Sequence, residues 1–506
     1  MSRRSSRERW RRDFRPRGPS IATRAGVWLG RLVFERGLAL IFLVAFVSAY
    51  AQFPALLGEH GLMPAKRWVK RVPFVEAPSI FHARCTDRFA RTVALAGIAL
   101  SVLELVGLPD RAPFVVSAAT WIALSWLYLS FVNVGQTFYA FGWESMLVEA
   151  GFFAAFLGPM RSVPSLVPIW ILRWMLFRTE VGAGLIKLRH DECWRNLTCL
   201  YFHYETQPLP NAASAHFHRL PKPIHRAGVA FSHVVQIVVP FGLFAPQPFA
   251  SIAALLIALH QLMLIVSGNY SWLNWLTVVL SFTAMSDEAL HHVLPISAPA
   301  LEPLSPIHQI VLFMVAGAVV VLSVRPALNL VSKNQLMNYS YNPLHLVNAY
   351  GAFGRISRER FEVTIEGAAS DEPADDAWKE YEFKAKPGDP KRRPRQIAPY
   401  HLRLDWLMWF LPFSVEVNGE RVLVGDHDVW FLRFIEKLLR NDKKTLALIR
   451  TNPFPDAPPK LVRARYWRYR FSTKEERAKT GAYWQRTLLG EYMPPVAASD
   501  LARLAT

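Results

Sequence analysis

Cysteine is scarce. Three residues in 506, Cys85, Cys193 and Cys199, exclude a disulfide-dense scaffold, and their spacing matches neither a zinc site nor a CxxC redox motif. Cys193 and Cys199 form a disulfide if their loop faces an oxidising compartment and are free thiols otherwise. Carboxylates are also few, with 39 Asp and Glu against 58 Lys and Arg for a formal net charge of +19. The sequence has no GxSxG elbow, P-loop, HExxH or GxGxxG, which leaves the commonest hydrolase, nucleotide-dependent and zinc-protease chemistries without their usual residues. No cofactor motif stands in their place.

The excess positive charge does not read as a nucleic-acid surface. Residues 1–36 hold eleven Arg against Glu8, Asp13 and Glu35 and run straight into apolar sequence, whereas nucleic-acid recognition calls for a basic face on a folded domain. Juxtamembrane Arg attracts anionic lipid at roughly 1 kcal/mol each. The partner implied by this arm is a bilayer.

Apolar sequence is abundant, at 52% hydrophobic with a mean hydropathy of +0.15. A helix needs about 20 apolar residues to cross a hydrocarbon core of about 30 Å. Candidate spans lie at 38–57, 92–108, 114–132, 145–159, 166–188, 227–245, 249–267, 272–286 and 307–324, eight or nine in all because 145–159 is short. The first reads as a retained helix. Ala49-Tyr50-Ala51 looks like a cleavage site and Arg11-Arg12 like part of a twin-Arg signal, but the arm is too long for a signal n-region and the apolar run continues to Leu57.

The positive-inside rule places the arm in the cytoplasm. It conflicts with loop 58–91, which carries seven Lys and Arg, and with loop 287–306, which carries none. From about Gln335 the composition becomes that of a soluble domain. Phe361–Glu366, Trp378–Lys384 and Leu461–Phe471 alternate like strands, Val429–Arg440 has helical spacing, and Asp442 is placed to cap a following helix. The expected architecture is a basic arm (1–36), a polytopic α-helical membrane bundle (37–330) and a soluble α+β domain (335–495).

Charge at membrane depth faces a bundle interior or a cavity. Arg173, Glu180 and Lys187 recur at steps of seven and share one helix face; Arg178, Glu104, Glu144, Glu149 and His260 are further interior candidates. Two readings follow. Either the charges pair with one another and hold the helices in register, or they line a cavity in which Lys187 acts as a base. Loop 189–226 adds aromatic and polar groups, and Trp194, His203, Tyr204, Glu205 and Gln207 are its candidates for contact with another protein. His216 and His218 lack a third ligand at a recognised spacing, so no metal is expected.

Several ordered stretches carry a resemblance to a known family: Phe141-Gly-Trp-Glu-Ser145, Gly182-Ala-Gly-Leu-Ile-Lys-Leu188, Cys193-Trp-Arg-Asn-Leu-Thr-Cys199, Phe202-His-Tyr-Glu-Thr-Gln-Pro208, Ser267-Gly-Asn-Tyr-Ser-Trp-Leu-Asn-Trp275, Asn348-Ala-Tyr-Gly-Ala-Phe-Gly354 and Leu404-Asp-Trp-Leu-Met-Trp-Phe410. Over roughly residues 130–495 the chain resembles the lipase maturation factors. That resemblance implies a multi-pass protein of the endoplasmic reticulum membrane, or of the inner membrane in a bacterium. It would be a non-enzymatic chaperone that helps secreted clients, lipases above all, to fold and assemble, with its C-terminal domain on the lumenal side. A shorter likeness, Gly184-Leu-Ile-Lys-Leu188, is similar to a segment of the membrane domain of vitamin K-dependent carboxylase. There the lysine is a catalytic base, which implies an alternative: a membrane enzyme acting on a lipophilic substrate through Lys187.

Overall fold

Long apolar runs become helices because only a helix satisfies its own backbone away from water. The computed structural model describes residues 25–418, 421–424 and 427–500. Along the chain come α1 (Trp28–Leu56), α2 (Asp87–Leu105), α3 (Phe114–Val134), α4 (Gly142–Ala154), α5 (Leu166–His190), α6 (Lys222–Phe244), α7 (Phe249–Ser267), α8 (Leu273–Ser281) and α9 (Pro306–Val331). Among the described residues α1, α3, α6, α7 and α9 are long and apolar enough to cross a membrane, five against the eight or nine expected.

The other expected spans fall short for identifiable reasons. α4 and α8 have 13 and 9 residues, about 20 and 14 Å of rise. α2 carries Asp87, Arg88, Arg91 and Glu104, and α5 carries Arg173, Arg178, Glu180, Lys187 and Arg189. α6 changes winding near its end, from α through a wider π turn at Val234–Val238 to a tighter turn at Val239–Phe244, where Pro240 withholds a backbone donor.

The boundary of the basic arm needs correction. Residues 28–36 are the first turns of α1, and Arg31 and Glu35 are buried there. Arg31 donates to the carbonyls of Leu157 (3.2 Å) and Gly158 (3.1 Å) and pairs with Glu35 at 3.4 Å. It serves as an interior joint rather than a lipid contact. The rest of the arm, residues 1–24, lies outside the described residues.

The C-terminal domain is built on an antiparallel sheet of order β2-β1-β5-β6, with β1 at Arg360–Ala368, β2 at Lys379–Glu380, β5 at Leu461–Phe471 and β6 at Trp484–Val496; β3 (Val415–Asn418) and β4 (Arg421–Val424) form a separate hairpin. The helix Val429–Leu439 buries Trp430, Phe431, Phe434, Ile435 and Leu438 on one face, the spacing that makes it amphipathic. Asp442 accepts a capping bond from the Thr445 amide at 2.9 Å. The strand expected at 378–384 is cut to two residues, because Glu382 leaves the sheet to bridge to Thr451. Near its end β6 carries Pro494 and Pro495, which an edge strand tolerates.

Residues 335–354, expected at the start of the soluble domain, instead run back along the bundle. Gln335 donates to the Gly182 carbonyl (2.9 Å), and Glu149 accepts from the Asn348 amide (2.9 Å) and the Tyr350 hydroxyl (2.7 Å). Further on, Asn269 accepts from the amides of Ile397 and Ala398 at 2.7 and 2.9 Å. Gln52 accepts from the Arg403 amide at 3.0 Å, and the Arg403 guanidinium pairs with Glu144 at 2.6 Å. The two parts share one continuous buried core.

Candidate functional site

The stripe on α5 is buried, but it is not a set of ion pairs. Glu180 and Lys187 stand two turns apart on the helix, about 10 Å of rise, and make no direct ion pair; each is answered by a neutral side chain from another helix. Glu180 accepts from Gln261 Nε2 at 2.6 Å, while Lys187 Nζ donates to Gln236 Oε1 at 2.7 Å and lies 4.8 Å from the Trp194 ring centre. Gln261 in turn accepts from Asn274 Nδ2 at 2.5 Å. Arg173 stands apart, donating to the carbonyls of Thr283 (3.0 Å) and Leu243 (3.2 Å). The expectation that the stripe pairs with itself is therefore corrected.

The remaining interior charges divide differently. Arg178 pairs with Glu149, and Glu144 with Arg403. Glu104 is buried at the end of α2 and lends its main-chain oxygen to Arg36 at 2.7 Å; His260 lies 6.0 Å from the Phe231 ring. None of these lines the cavity described next.

Glu180 and Lys187 open on a chamber of about 400 Å³ between the bundle and the C-terminal part, where α5 contributes Thr179, Glu180, Ala183, Ile186, Lys187 and His190. Gln236, Gln261 and Asn274 complete its polar side, and Phe141, Trp143, Trp406 and Trp409 supply aromatic walls. Gly182 lets the backbone at Tyr350 lie directly against α5, since a Cβ there would lie 2.2 Å from the Tyr350 carbonyl oxygen. An apolar cavity with a few convergent polar groups is the usual form of a small-molecule site. The glutamines and Asn274 were not anticipated, although polar residues inside otherwise apolar spans are a visible signal.

The loop after α5 is ordered, but its expected client contacts face inward. Trp194, His203 and Gln207 are 3%, 5% and 2% exposed, and Tyr204 is buried. Trp194 donates to the Phe353 carbonyl (3.0 Å), His203 Nε2 is 2.8 Å from the Tyr270 hydroxyl, and Gln207 donates to the Ser267 carbonyl (2.9 Å). Burial drives the His203 imidazole down to about 3, so it is neutral. Glu205 accepts from the Phe471 amide at 2.7 Å, and Arg360 donates to the carbonyls of Glu205 (2.9 Å) and Pro208 (3.1 Å). Glu205 thus ties the loop to the sheet, while Trp194, His203 and Gln207 tie it to Phe353, Tyr270 and Ser267.

Cys193 and Cys199 are joined, with Cα atoms 4.7 Å apart. Asp191, next to them, accepts from the amides of Cys193 and Ile356 at 3.0 Å each and from Arg358 at 2.7 Å. Asp191 and the two sulfurs lie within 4.8 Å of one another. The sulfurs are bonded to each other and the carboxylate is engaged, so this trio has no free ligand set for a metal.

Comparison with known proteins supplies the identity. Residues 29–292 match the lipase maturation factor transmembrane domain, and residues 346–494 match the lipase maturation factor C-terminal domain. The chain belongs to the lipase maturation factor family. It is 40% identical to lipase maturation factor 1 of Bos taurus over 96% of this chain and 92% of that protein. It is 38% identical to the Homo sapiens lipase maturation factor 1, covering 94% and 89%, and 27% identical to Homo sapiens lipase maturation factor 2, covering 94% and 84%. No solved structure matches. Membership of the family makes this an integral, multi-pass membrane protein.

Proposed function

We propose that this chain is a membrane-embedded maturation factor that helps secreted, lipase-like clients to fold and assemble, without itself catalysing a reaction. The observation that carries the reading is the 40% identity to lipase maturation factor 1 across nearly the full length of both proteins. On this reading the protein resides in the endoplasmic reticulum membrane of a eukaryote, or the inner membrane of a bacterium, with the C-terminal domain on the side to which clients are exported. Client contact then falls to side chains that remain outside, such as Phe413, which is 55% exposed. Exposed aromatics of this kind suit partly folded chains with apolar surface still uncovered.

The test is expression in cells that lack their own maturation factor, read as secreted lipase activity together with co-purification of the lipase. Recovered activity with lipase enriched over a control membrane protein is the expected result. Normal membrane insertion with neither effect would remove the reading.

The second reading, a membrane enzyme using Lys187 as a base on a lipophilic substrate, is favoured by the chamber around that residue. Its weakness is the company Lys187 keeps. A carbonyl oxygen at 2.7 Å and a ring face at 4.8 Å are contacts that an ammonium makes as donor and cation.

A further inference from the structure

Lys187 is 6% exposed, and no carboxylate lies within 4.0 Å of it among the described residues. One of its three N–H groups goes to Gln236 and the ammonium also lies over the Trp194 ring. No further acceptor is within hydrogen-bond distance among the described residues. A buried cation left short of acceptors beside an apolar chamber is a site for an anionic oxygen.

The chamber's other charges agree. Its entrance carries His190 and Arg355, both exposed, together with the half-exposed apolar side chains of Met337 and Phe410. The only acidic residue in the lining is Glu180, two turns along α5 from Lys187; it makes no ion pair with the ammonium, though the two attract through space and share Gln236, and it already accepts from Gln261. At about 400 Å³ the chamber lies at the lower end of the range for small-molecule sites, roughly 300–1,000 Å³. Inside it there is one ammonium and no guanidinium fork, where a phosphate head would call for several donors.

We propose that this chamber binds a long-chain carboxylate, its head on Lys187 and its chain against Ala183, Ile186 and the aromatic walls of Trp143 and Trp406. Lys187 is then a binding residue rather than a base, and the site is an activity separate from client contact. The binding itself does not depend on the client reading, because it is measured with no client present.

The experiment uses the full chain in nanodiscs of saturated phosphatidylcholine, a diazirine-bearing palmitate as photoprobe, and mass spectrometry to locate the label. Label is expected on peptides containing residues 179–190 or 350–355, with oleate competing at least tenfold better than oleyl alcohol, which has the same chain and no carboxylate. Lys187→Met is expected to cut labelling at least tenfold, and Ala183→Trp, which fills the chamber, to abolish it. Label confined to lipid-facing positions of α9, or equal competition by the alcohol, would overturn the proposal. The competition is read on the unaltered protein, so it holds even if a variant fails to fold.

Discussion

The joint between Arg403 and Glu144 offers a quantitative test of how the C-terminal part is held. Both side chains are fully buried and 2.6 Å apart. Arg403 also donates to the Phe138 carbonyl at 2.7 Å and stacks 3.5 Å from the Tyr139 ring centre. Removing one member of such a pair strands the other, at a cost of about 3–5 kcal/mol. Glu144→Ala should therefore destabilise by about that amount. Arg403→Met should cost about 2 kcal/mol more, because it also loses a desolvated cation–π contact. The double variant leaves no orphaned charge and should be less destabilised than the sum of the singles by at least about 2 kcal/mol. Urea titration in a mild detergent, followed by protease release of the C-terminal domain, gives the four corners of the cycle. Additivity within about 0.5 kcal/mol would show that the two charges do not act together and would refute the reasoning.

Three further outcomes are expected. Because Glu180 and Lys187 are bridged by glutamines, Glu180→Gln with Lys187→Met should fold with only about 1–3 kcal/mol lost and should keep client maturation; a folded but inactive double variant would revive the enzyme reading. Burial pushes the Asp191 carboxyl up, but hydrogen bonds from Arg358 and the amides of Cys193 and Ile356 outweigh it and hold the group at about 2. Its stabilising contribution should thus be present above about pH 4 and fade as pH falls toward 2, so the difference in thermal midpoint between the parent and Asp191→Asn should shrink over that window; a constant difference would contradict it. Alkylation of native material with and without reductant should release two thiols, Cys193 and Cys199, only after reduction, and recovery of both as free thiols beforehand would place their loop in a reducing compartment.

Much of this molecule can be read before it is folded. Apolar length marks α1, α3, α7 and α9, alternation marks β1 and β5, and heptad spacing picks out the face of α5 that meets the chamber. The misses share a physical origin. Spacing along one helix cannot tell which side chains from other helices will answer its charges, so Gln236 and Gln261 were invisible as the partners of Lys187 and Glu180. Loop polarity was equally ambiguous. His203 and Gln207 read as surface groups because they are polar, yet their polarity is used up inside, on Tyr270 and Ser267. Arg403 and the loop contacts of Arg360 were unforeseen because the groups they reach are more than 150 residues away in the chain.

That separation has a bearing on how the protein is made. Glu144 is inserted 259 residues before Arg403 exists, which at about 5–20 residues per second is on the order of ten to fifty seconds of synthesis. Throughout that interval the nascent bundle holds a carboxylate with no guanidinium to receive it, and the amide side chains of Gln52 and Asn269 wait for the same late segment. A chain that stops at residue 400 would contain all nine of the helices α1 to α9 and still leave Glu144 without its guanidinium. The segment around residues 397–403 thus closes a membrane domain whose helices were all made before it.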